Sequence, residues 1–305
     1  MKTLLQILGP TGVGKSRVAL TLAKKFSGEI ISADSMQVYR GFDIGTAKPT
    51  SAERREVPHH LIDTVSDCSQ FNAFRFLNES FACAEAILER GRLPIVCGGT
   101  ALYLSVMKAG IFSEPASDRD VRRDLHARIE AEGLPALWEE LRRVDEPYAL
   151  KIGTNDRRRV LRALEIFAST GVAPSAMFQK NETPFRAYRI IRIGLNRERA
   201  ALYRLIEQRV DAMIASGLVA EVRRVRDTRP PHCPPFQAVG YKETVLALEG
   251  HVTLAEAVDL IKRHSRNLCK RQLTWFRREK DIVWFAPDDL GPLERYLENE
   301  LWNGR

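Results

Sequence analysis

Long apolar runs are missing from this chain, and none approaches the length needed to span a bilayer. The N-terminal residues are expected to enter a strand directly, with no signal peptide ahead of it. Cysteine is scarce, with five in 305 residues (Cys68, Cys83, Cys97, Cys233 and Cys269), and these are far apart. No C-x-x-C pair and no Cys/His grouping at zinc spacing occurs, and the adjacent pairs His59-His60 and His232-Cys233 suit no closed structural metal site. The expectation is five buried or semi-buried thiols in a reducing compartment, in a soluble cytoplasmic protein. Internal repeats and low-complexity tracts are also absent.

What is present fits a globular protein. The apolar share of 44% supports a sizeable core without disulfides, and the length suggests two domains or one core with a large insertion. The formal charge is +8 with a pI near 9.3, and it is unevenly spread. Arginine clusters occur at Arg157-Arg158-Arg159 with Arg162, at Arg223-Arg224 with Arg226, and between Lys262 and Lys280, while the first fifty residues are ordinary. Nucleic acid is the polyanion that such a distribution fits best.

The chain is organised around Gly9-Pro10-Thr11-Gly12-Val13-Gly14-Lys15-Ser16, which reads G-x-x-x-x-G-K-S. An apolar run at 3–8 precedes it as a strand, and helical spacing of Val18, Leu20, Leu22, Ala23 and Phe26 follows it. Glycines turn backbone N–H groups onto an anion, and the helix that follows starts with its positive dipole end toward that anion. Lys15 would neutralise a terminal phosphate, and the Ser16 hydroxyl would reach Mg²⁺.

Gly28 is expected to cap the first helix, and 29–33 to form a second strand. A helix over 15–26 descends roughly 18 Å at about 1.5 Å per residue. A five-residue strand climbs back roughly 16 Å at about 3.3 Å per residue, which brings Asp34 beside the phosphate loop at the carboxyl edge of a parallel sheet. Residues 41–58 read as loop and 58–63 as a short extended piece. A helix is expected over 71–90, then a strand over 94–97 that opens into Gly98-Gly99-Thr100, a second point of close approach to the ligand. Strand patterns vanish between 112 and 186, where Ser113 to Asp118 mark the start of a helical insertion with helices at 134–144 and 157–170. A strand over 188–195 rejoins the core. The helix over 197–216 carries a stripe of Leu202, Leu205, Ile206, Val210 and Met213, closes at Gly217 and has Arg209 at the stripe's border. A proline-rich connection leads to Gln237-Ala238-Val239-Gly240-Tyr241-Lys242-Glu243 and a long basic helix from 254 to about 278.

These residues support a Mg²⁺-phosphate ligand, a carboxylate beside it and a basic surface leading away. Phosphoryl transfer is the default chemistry of such a site, with Asp34 a metal partner or a base. An ATP-dependent kinase of a small molecule or nucleotide and a group transferase acting on nucleic acid both remain open at this point. A non-catalytic RNA-binding ATPase leaves Asp34 unexplained.

Longer motifs separate these readings. Ser32-Ala33-Asp34-Ser35-Met36-Gln37-Val38-Tyr39-Arg40-Gly41 and Asp43-Ile44-Gly45-Thr46-Ala47-Lys48-Pro49 follow the phosphate loop. Further on come Pro58-His59-His60-Leu61-Ile62-Asp63, Gly98-Gly99-Thr100 and Lys270-Arg271-Gln272-Leu273-Thr274-Trp275-Phe276-Arg277. Together, and in this order, they closely resemble the tRNA dimethylallyltransferases of bacterial type. The resemblance implies an α/β fold with a P-loop NTPase-like core, its parallel sheet flanked by helices, and a helical insertion domain. The expected limits are 1–111 for the first part of the core, 112–186 for the insertion and 187–305 for core completion and the basic C-terminal helices.

The resemblance further implies transfer of a dimethylallyl group from dimethylallyl diphosphate to the exocyclic amine of the tRNA adenosine just 3′ of the anticodon. On that basis Gly9, Thr11, Gly12, Val13, Gly14, Lys15, Ser16 and Arg209 bind the diphosphate, with Mg²⁺ at Ser16 and Lys15 on the leaving group. Asp34 is the general base, and Thr100 shares the catalytic channel. Contacts to the tRNA anticodon stem-loop are expected from Asp34, Ser35, Met36, Gln37, Thr100, Arg122, Arg158, Arg159, Val160, Leu161, Arg162, Lys270, Arg271 and Gln272. The target base must leave its stack to reach the site, and RNA loops are read by splayed bases plus backbone charge. The chain also departs from the family pattern. Thr154 replaces a usual Pro, Arg158 a usual Gln, and Ser265 and Cys269 a usual Thr and Ala. Position 158 therefore offers a phosphate contact in place of an amide hydrogen bond. A monomer suffices for this chemistry.

Overall fold

The structure, a computed structural model, describes residues 2–111, 119–179 and 181–302. Two compact units emerge, one of Met1–Lys108 with Pro184–Arg305 and one of Ala109–Thr183. Among the described residues no helix is long and apolar enough to cross a membrane.

The larger unit opens with β1 (Lys2–Leu8), α1 (Lys15–Lys25), β2 (Gly28–Ala33), α2 (Ser51–Glu56), β3 (His59–His60), α3 (Ala73–Glu89), β4 (Leu93–Gly98) and α4 (Ala101–Ala109). The smaller unit contributes α5 (Arg119–Glu132), α6 (Leu134–Val144), α7 (Glu146–Ile152), α8 (Arg157–Thr170) and α9 (Pro174–Phe178). The chain then returns through β5 (Tyr188–Leu195), α10 (Arg199–Ala215), α11 (Leu218–Thr228), α12 (Tyr241–Leu248), α13 (Leu254–Phe276), β6 (Val283–Phe285) and α14 (Gly291–Trp302).

All six strands are parallel, in the order β3-β2-β4-β1-β5-β6. The apolar run in β1 is continuous because the strand is covered on both faces, and Leu4, Leu5, Ile7 and Leu8 are fully buried. Leu5 and Ile7 join Val18, Ala19 and Leu22 of α1, Ile193 and Leu195 of β5 and Leu293 and Leu297 of α14 in one core. Each of the Val, Leu and Ile side chains among them contributes about 1.5–3 kcal/mol on leaving water. The crossover from β1 runs to one side of the sheet and that from β4 to the other. The crevice between them, at the carboxyl ends, is where ligands of open α/β sheets bind.

The smaller unit has its own core of Leu125, Ile129, Leu137, Trp138, Leu141, Ala149, Val160 and Leu164. Asp156 caps α8 by accepting from Arg159 N–H, and Gly171 ends it. The start of the insertion expected at Ser113 to Asp118 lies outside the described residues.

Several sequence expectations are corrected. Gly28 does not cap α1, which ends at Lys25, but begins β2. Residues 41–58 are not all loop. Thr50 and Glu53 form a reciprocal capping box that starts α2. Gly217 precedes α11, a further helix, rather than only ending α10. The cysteines are not five thiols. Cys68 and Cys233, 165 residues apart, are joined as a disulfide with Cα atoms 4.9 Å apart, leaving Cys83, Cys97 and Cys269 free. No spacing rule pairs cysteines so distant, because the fold alone brings them together.

Candidate active site

The site follows from the sheet order. β1, β4 and β2 lie side by side, with Leu8 paired to Gly98 and Gly98 to Ala33. Their carboxyl ends release the phosphate loop, Gly99-Thr100 and Asp34 in that spatial order. Neighbouring strands lie about 4.8 Å apart, so Asp34 leaves the sheet about 10 Å from the start of the phosphate loop, with Thr100 between them. Gly14 holds φ at 102°, in the left-handed region, and so turns the loop directly into α1.

A cavity of about 370 Å³ sits on this edge, a size suited to a small molecule. Its polar wall holds Thr11, Asp34, Ser35, Thr100, Arg209 and Arg271. Its apolar wall is built from α10 and α13, with Ile206, Val210 and Met213 facing Ile261, Leu268 and Trp275, and Val239 joining them. Sequence alone assigns the Ile206, Val210 and Met213 stripe only to helix packing. Its spacing of four and three is the signal, but a cavity wall and a core produce the same pattern. Trp275 likewise has no role that sequence alone assigns, and it is among the exposed large apolar residues.

Asp34 Oδ1 accepts the Met36 N–H at 2.8 Å, a turn that fixes the carboxylate against its own loop. Thr100 Oγ1 accepts the Ser35 N–H at 3.1 Å, and the Thr100 N–H donates to Ala33 O at 3.2 Å. Lys15 Nζ donates to Pro10 O at 2.8 Å. Desolvation lowers its pKa to about 8, with the like charge of Arg209 adding to the effect and Cys97 and Asp34 opposing it. Burial pushes the Cys97 thiol up to about 11 at the end of β4. Arg209 donates to Thr11 Oγ1 at 3.3 Å, and desolvation holds its pKa below the usual arginine range, while Asp34 opposes this. Two cations thus flank Thr11 under desolvation, and an anion would stabilise both.

Of the phosphate loop, Thr11 lines the cavity, while Val13 is fully buried in the core, so its side chain cannot meet a ligand. Ser16 is exposed in the first turn of α1. Among the described residues no group of three or more His, Cys, Asp or Glu could hold a metal. A lone hydroxyl suits only an ion that takes its remaining oxygens from phosphate and water.

The expected tRNA residues divide. Asp34, Ser35, Met36, Thr100, Arg271 and Gln272 line the one cavity. Gln37 does not offer its amide to a base. Nε2 donates to Thr46 O at 3.1 Å and to Ala47 O at 3.2 Å, and Oε1 accepts from Ser32 Oγ at 2.9 Å. Gln272 is also engaged at both ends, accepting from Thr11 N–H at 2.8 Å and donating to Gly99 O at 2.9 Å. Lys270 points elsewhere, into a second groove with Arg197, Arg199, Thr274 and Arg277. In the smaller unit, Arg122, Arg158 and Arg159 are exposed, and Arg159 pairs with Asp156 at 3.4 Å. Arg162 pairs with the buried Glu165 at 3.0 Å. Val160 is fully buried and Leu161 packs against the same core, so the Val160 side chain takes no part in the surface of α8.

Known proteins resemble this chain along nearly its full length. The family model described as IPP transferase matches residues 37–279, and that described as Isopentenyl transferase matches residues 2–65. A tRNA dimethylallyltransferase 2 of Syntrophus aciditrophicus is 44% identical over 96% of this chain and 94% of its own length. A tRNA dimethylallyltransferase of Halalkalibacterium halodurans is 43% identical over 97% and 94%. Among solved structures, the tRNA isopentenylpyrophosphate transferase of Bacillus halodurans superposes with a TM-score of 0.72 at 41% identity, covering 99% of this chain and 96% of that one. A eukaryotic dimethylallyltransferase acting on tRNA superposes with a TM-score of 0.83 at 29% identity, over 100% and 80%.

Proposed function

The chain belongs to the IPP transferase family, and from that premise we propose that it transfers a dimethylallyl group from dimethylallyl diphosphate to tRNA. The acceptor is the exocyclic amine of the adenosine just 3′ of the anticodon, and diphosphate is released. The observation that carries this reading is one cavity with the Asp34 carboxylate and the desolvated Arg209 on its polar wall, the desolvated Lys15 in the phosphate loop next to it, and an apolar wall opposite. A kinase site also needs the first, whereas an apolar wall of this make-up suits a prenyl chain.

Each part has a role in this reaction. Gly9, Gly12, Val13 and Gly14 present the backbone of the loop to the diphosphate, Val13 without its buried side chain, and Thr11 offers its hydroxyl because Gln272 holds its N–H. Lys15 and Arg209 stabilise charge that grows on the diphosphate as the carbon–oxygen bond breaks. The Ser16 hydroxyl would hold Mg²⁺, whose charge would help to neutralise the leaving group. The apolar wall from Ile206 to Trp275 takes the prenyl chain. Asp34 accepts a proton from the adenine amine as that nitrogen bonds to carbon, and Thr100 fixes the loop that carries Asp34.

The adenosine must be flipped out of the anticodon stack to reach this depth. Ser35 and Met36 lie at the base, with Gln37 holding their loop from behind. Lys270 and Arg271 on the larger unit meet the RNA backbone in this reading, as do Arg122, Arg158, Arg159 and Arg162 on the smaller unit, where Leu161 and the backbone at Val160 lie on the same helix as the last three. The enzyme works as a cytoplasmic monomer.

Incubation with radiolabelled dimethylallyl diphosphate and unmodified tRNA, run beside γ-labelled ATP, tests the assignment. Label entering tRNA from the diphosphate is the expected result. Label transferred from ATP alone, to RNA or to a small molecule, would replace it with a kinase.

A further inference from the structure

The ladder between β1 and β4 ends at Leu8 and Gly98. Past that pair the two chains diverge into the phosphate loop and the Gly99-Thr100 turn, with no further rung of the sheet between them. The Gln272 side chain, reaching across from α13, supplies one. Its Oε1 accepts the Thr11 N–H at 2.8 Å, and its Nε2 donates to Gly99 O at 2.9 Å. One planar amide therefore ties the loop assigned to the leaving group to the turn assigned to the acceptor.

The tie continues on both sides. Thr11 Oγ1 accepts from Arg209 at 3.3 Å. Beyond Gly99, Thr100 accepts the Ser35 N–H at 3.1 Å, and Ser35 follows Asp34. Steric fit gives a separate sign of the same arrangement. A Cβ placed on Gly99 would lie 2.5 Å from Gln272 Nε2, so the amide sits in space that only glycine leaves open. An amide held at both ends and packed onto a glycine is poorly placed to read a nucleotide, although it belongs to the basic helix.

We propose that Gln272 is a positioning residue that sets the separation between the diphosphate loop and the acceptor turn. The inference rests on the transferase reading above and deepens it. Displacement at carbon needs the leaving oxygen and the attacking nitrogen in line, and a misplacement of about 1 Å costs roughly a hundredfold in rate. Both partners reach the carbon from loops that Gln272 connects. Its loss therefore affects the transition state more than the binding of either substrate.

The test compares steady-state kinetics of the wild type, Gln272→Ala, Gly99→Ala and the double variant on tRNA and dimethylallyl diphosphate. Gln272→Ala is expected to lower kcat about 10- to 100-fold, with KM for each substrate within about threefold of wild type. Gly99→Ala, which displaces the amide, should lower kcat similarly. The double variant should be no slower than the worse single variant, since the second change has nothing left to disturb. A raised KM for tRNA with kcat unchanged would make Gln272 an RNA contact and overturn the proposal. Independent, multiplying losses in the double variant would do the same.

Hydrogen exchange provides a readout independent of turnover. The peptide spanning Gly9 to Ser16 should exchange faster in Gln272→Ala while β1 and β4 keep their protection, and equal protection of that peptide would also overturn the proposal. A wild type inert toward both substrates refutes the transferase reading itself. Exchange at Gly9 to Ser16 still decides, in that case, whether Gln272 holds the loop.

Discussion

The Ser35 N–H donates to Thr100 Oγ1 at 3.1 Å, so a hydroxyl at the end of β4 pins the residue that follows Asp34 at the end of β2. The two strands are paired as far as Ala33 and Gly98, and this bond extends the pairing into the loop. Thr100→Val keeps the shape and removes the acceptor, leaving a part-buried N–H unpaired at a cost of about 1–3 kcal/mol. If that cost falls on the catalytic geometry, kcat drops about tenfold for each 1.4 kcal/mol. Thr100→Ser should restore most of the rate. A valine variant as fast as the wild type would show that the hydroxyl has no part in placing Asp34.

Asp34 has two duties that a single substitution can separate. Its Oδ1 holds the Met36 N–H at 2.8 Å, and its carboxylate is the proposed proton acceptor. Asp34→Asn keeps an oxygen for the turn and removes the basicity. It should therefore lower kcat by about 10²- to 10⁴-fold, the range for general base catalysis, while tRNA affinity measured by equilibrium binding stays within about threefold. Asp34→Ala removes both duties and should weaken tRNA binding as well. Equal loss of affinity in the two variants would assign Asp34 to RNA binding alone.

Lys15 gives the diphosphate site a pH dependence with a defined sign. Its pKa is lowered to about 8 in the free protein, chiefly by desolvation. Bound diphosphate favours the charged form and raises that value again. Affinity is therefore full below about pH 8 and falls as pH rises through it. The last ionisation of a phosphate ester lies near 6, so the ligand's own charge is constant in that window. For stability the sign is opposite. The unfolded lysine keeps its proton up to about 10.4, so between about pH 8 and 10 the unfolded state binds more protons and stability rises with pH. Calorimetric titration with dimethylallyl diphosphate from pH 7 to 10 checks the first statement, and a flat profile would contradict it.

Glu221 anchors the loop that carries Gly45 and Thr46 into the cavity wall. Its buried carboxylate accepts N–H bonds from Asp43 at 3.1 Å, Ile44 at 2.9 Å and Gly45 at 3.3 Å, and the Tyr241 hydroxyl donates to it at 2.5 Å. Glu221→Ala leaves three part-buried N–H groups and the buried Tyr241 hydroxyl without this partner and should cost about 2–4 kcal/mol. Urea unfolding should show a lower midpoint with an unchanged slope. A midpoint within error of the wild type would mean that the loop finds other acceptors.

These residues also show what the sequence makes legible. The phosphate loop and Asp34 were readable because local rules fix them. A glycine-rich turn between strand and helix allows one backbone path, and the lengths of α1 and β2 return the chain to the same edge. Thr100 was readable as a strand-end turn, although not as the element lying between Asp34 and the loop, because strand order is a tertiary property. Long-range partners were out of reach. Glu221 meets residues 43–45, Gln272 meets Thr11 and Gly99, and Cys68 meets Cys233, in each case across more than 160 residues. Nothing in the spacing of such pairs differs from chance. The apolar wall was hidden for another reason, since Ile206, Val210 and Met213 have the period of any packed helix face.

The basic helix α13 makes a quantitative prediction about salt. Lys270 and Arg271 are adjacent in sequence but line different cavities, Lys270 with Arg197 and Arg277 and Arg271 with Asp34 and Trp275. If both meet RNA phosphates, each releases counterions independently, and their contributions add. Removing either charge should lower the slope of log affinity against log salt by about 0.7–0.9, and removing both should lower it by about twice that. The loss should be similar for every tRNA bound, because phosphate contacts carry no sequence information. Turnover at saturating tRNA should change little, which separates these two side chains from Gln272 one residue further on. Filter binding of tRNA between about 50 and 200 mM salt measures the slope. A slope that changes for Arg271→Ala and not for Lys270→Ala would confine the RNA path to the cavity with Asp34 and leave the second groove outside it.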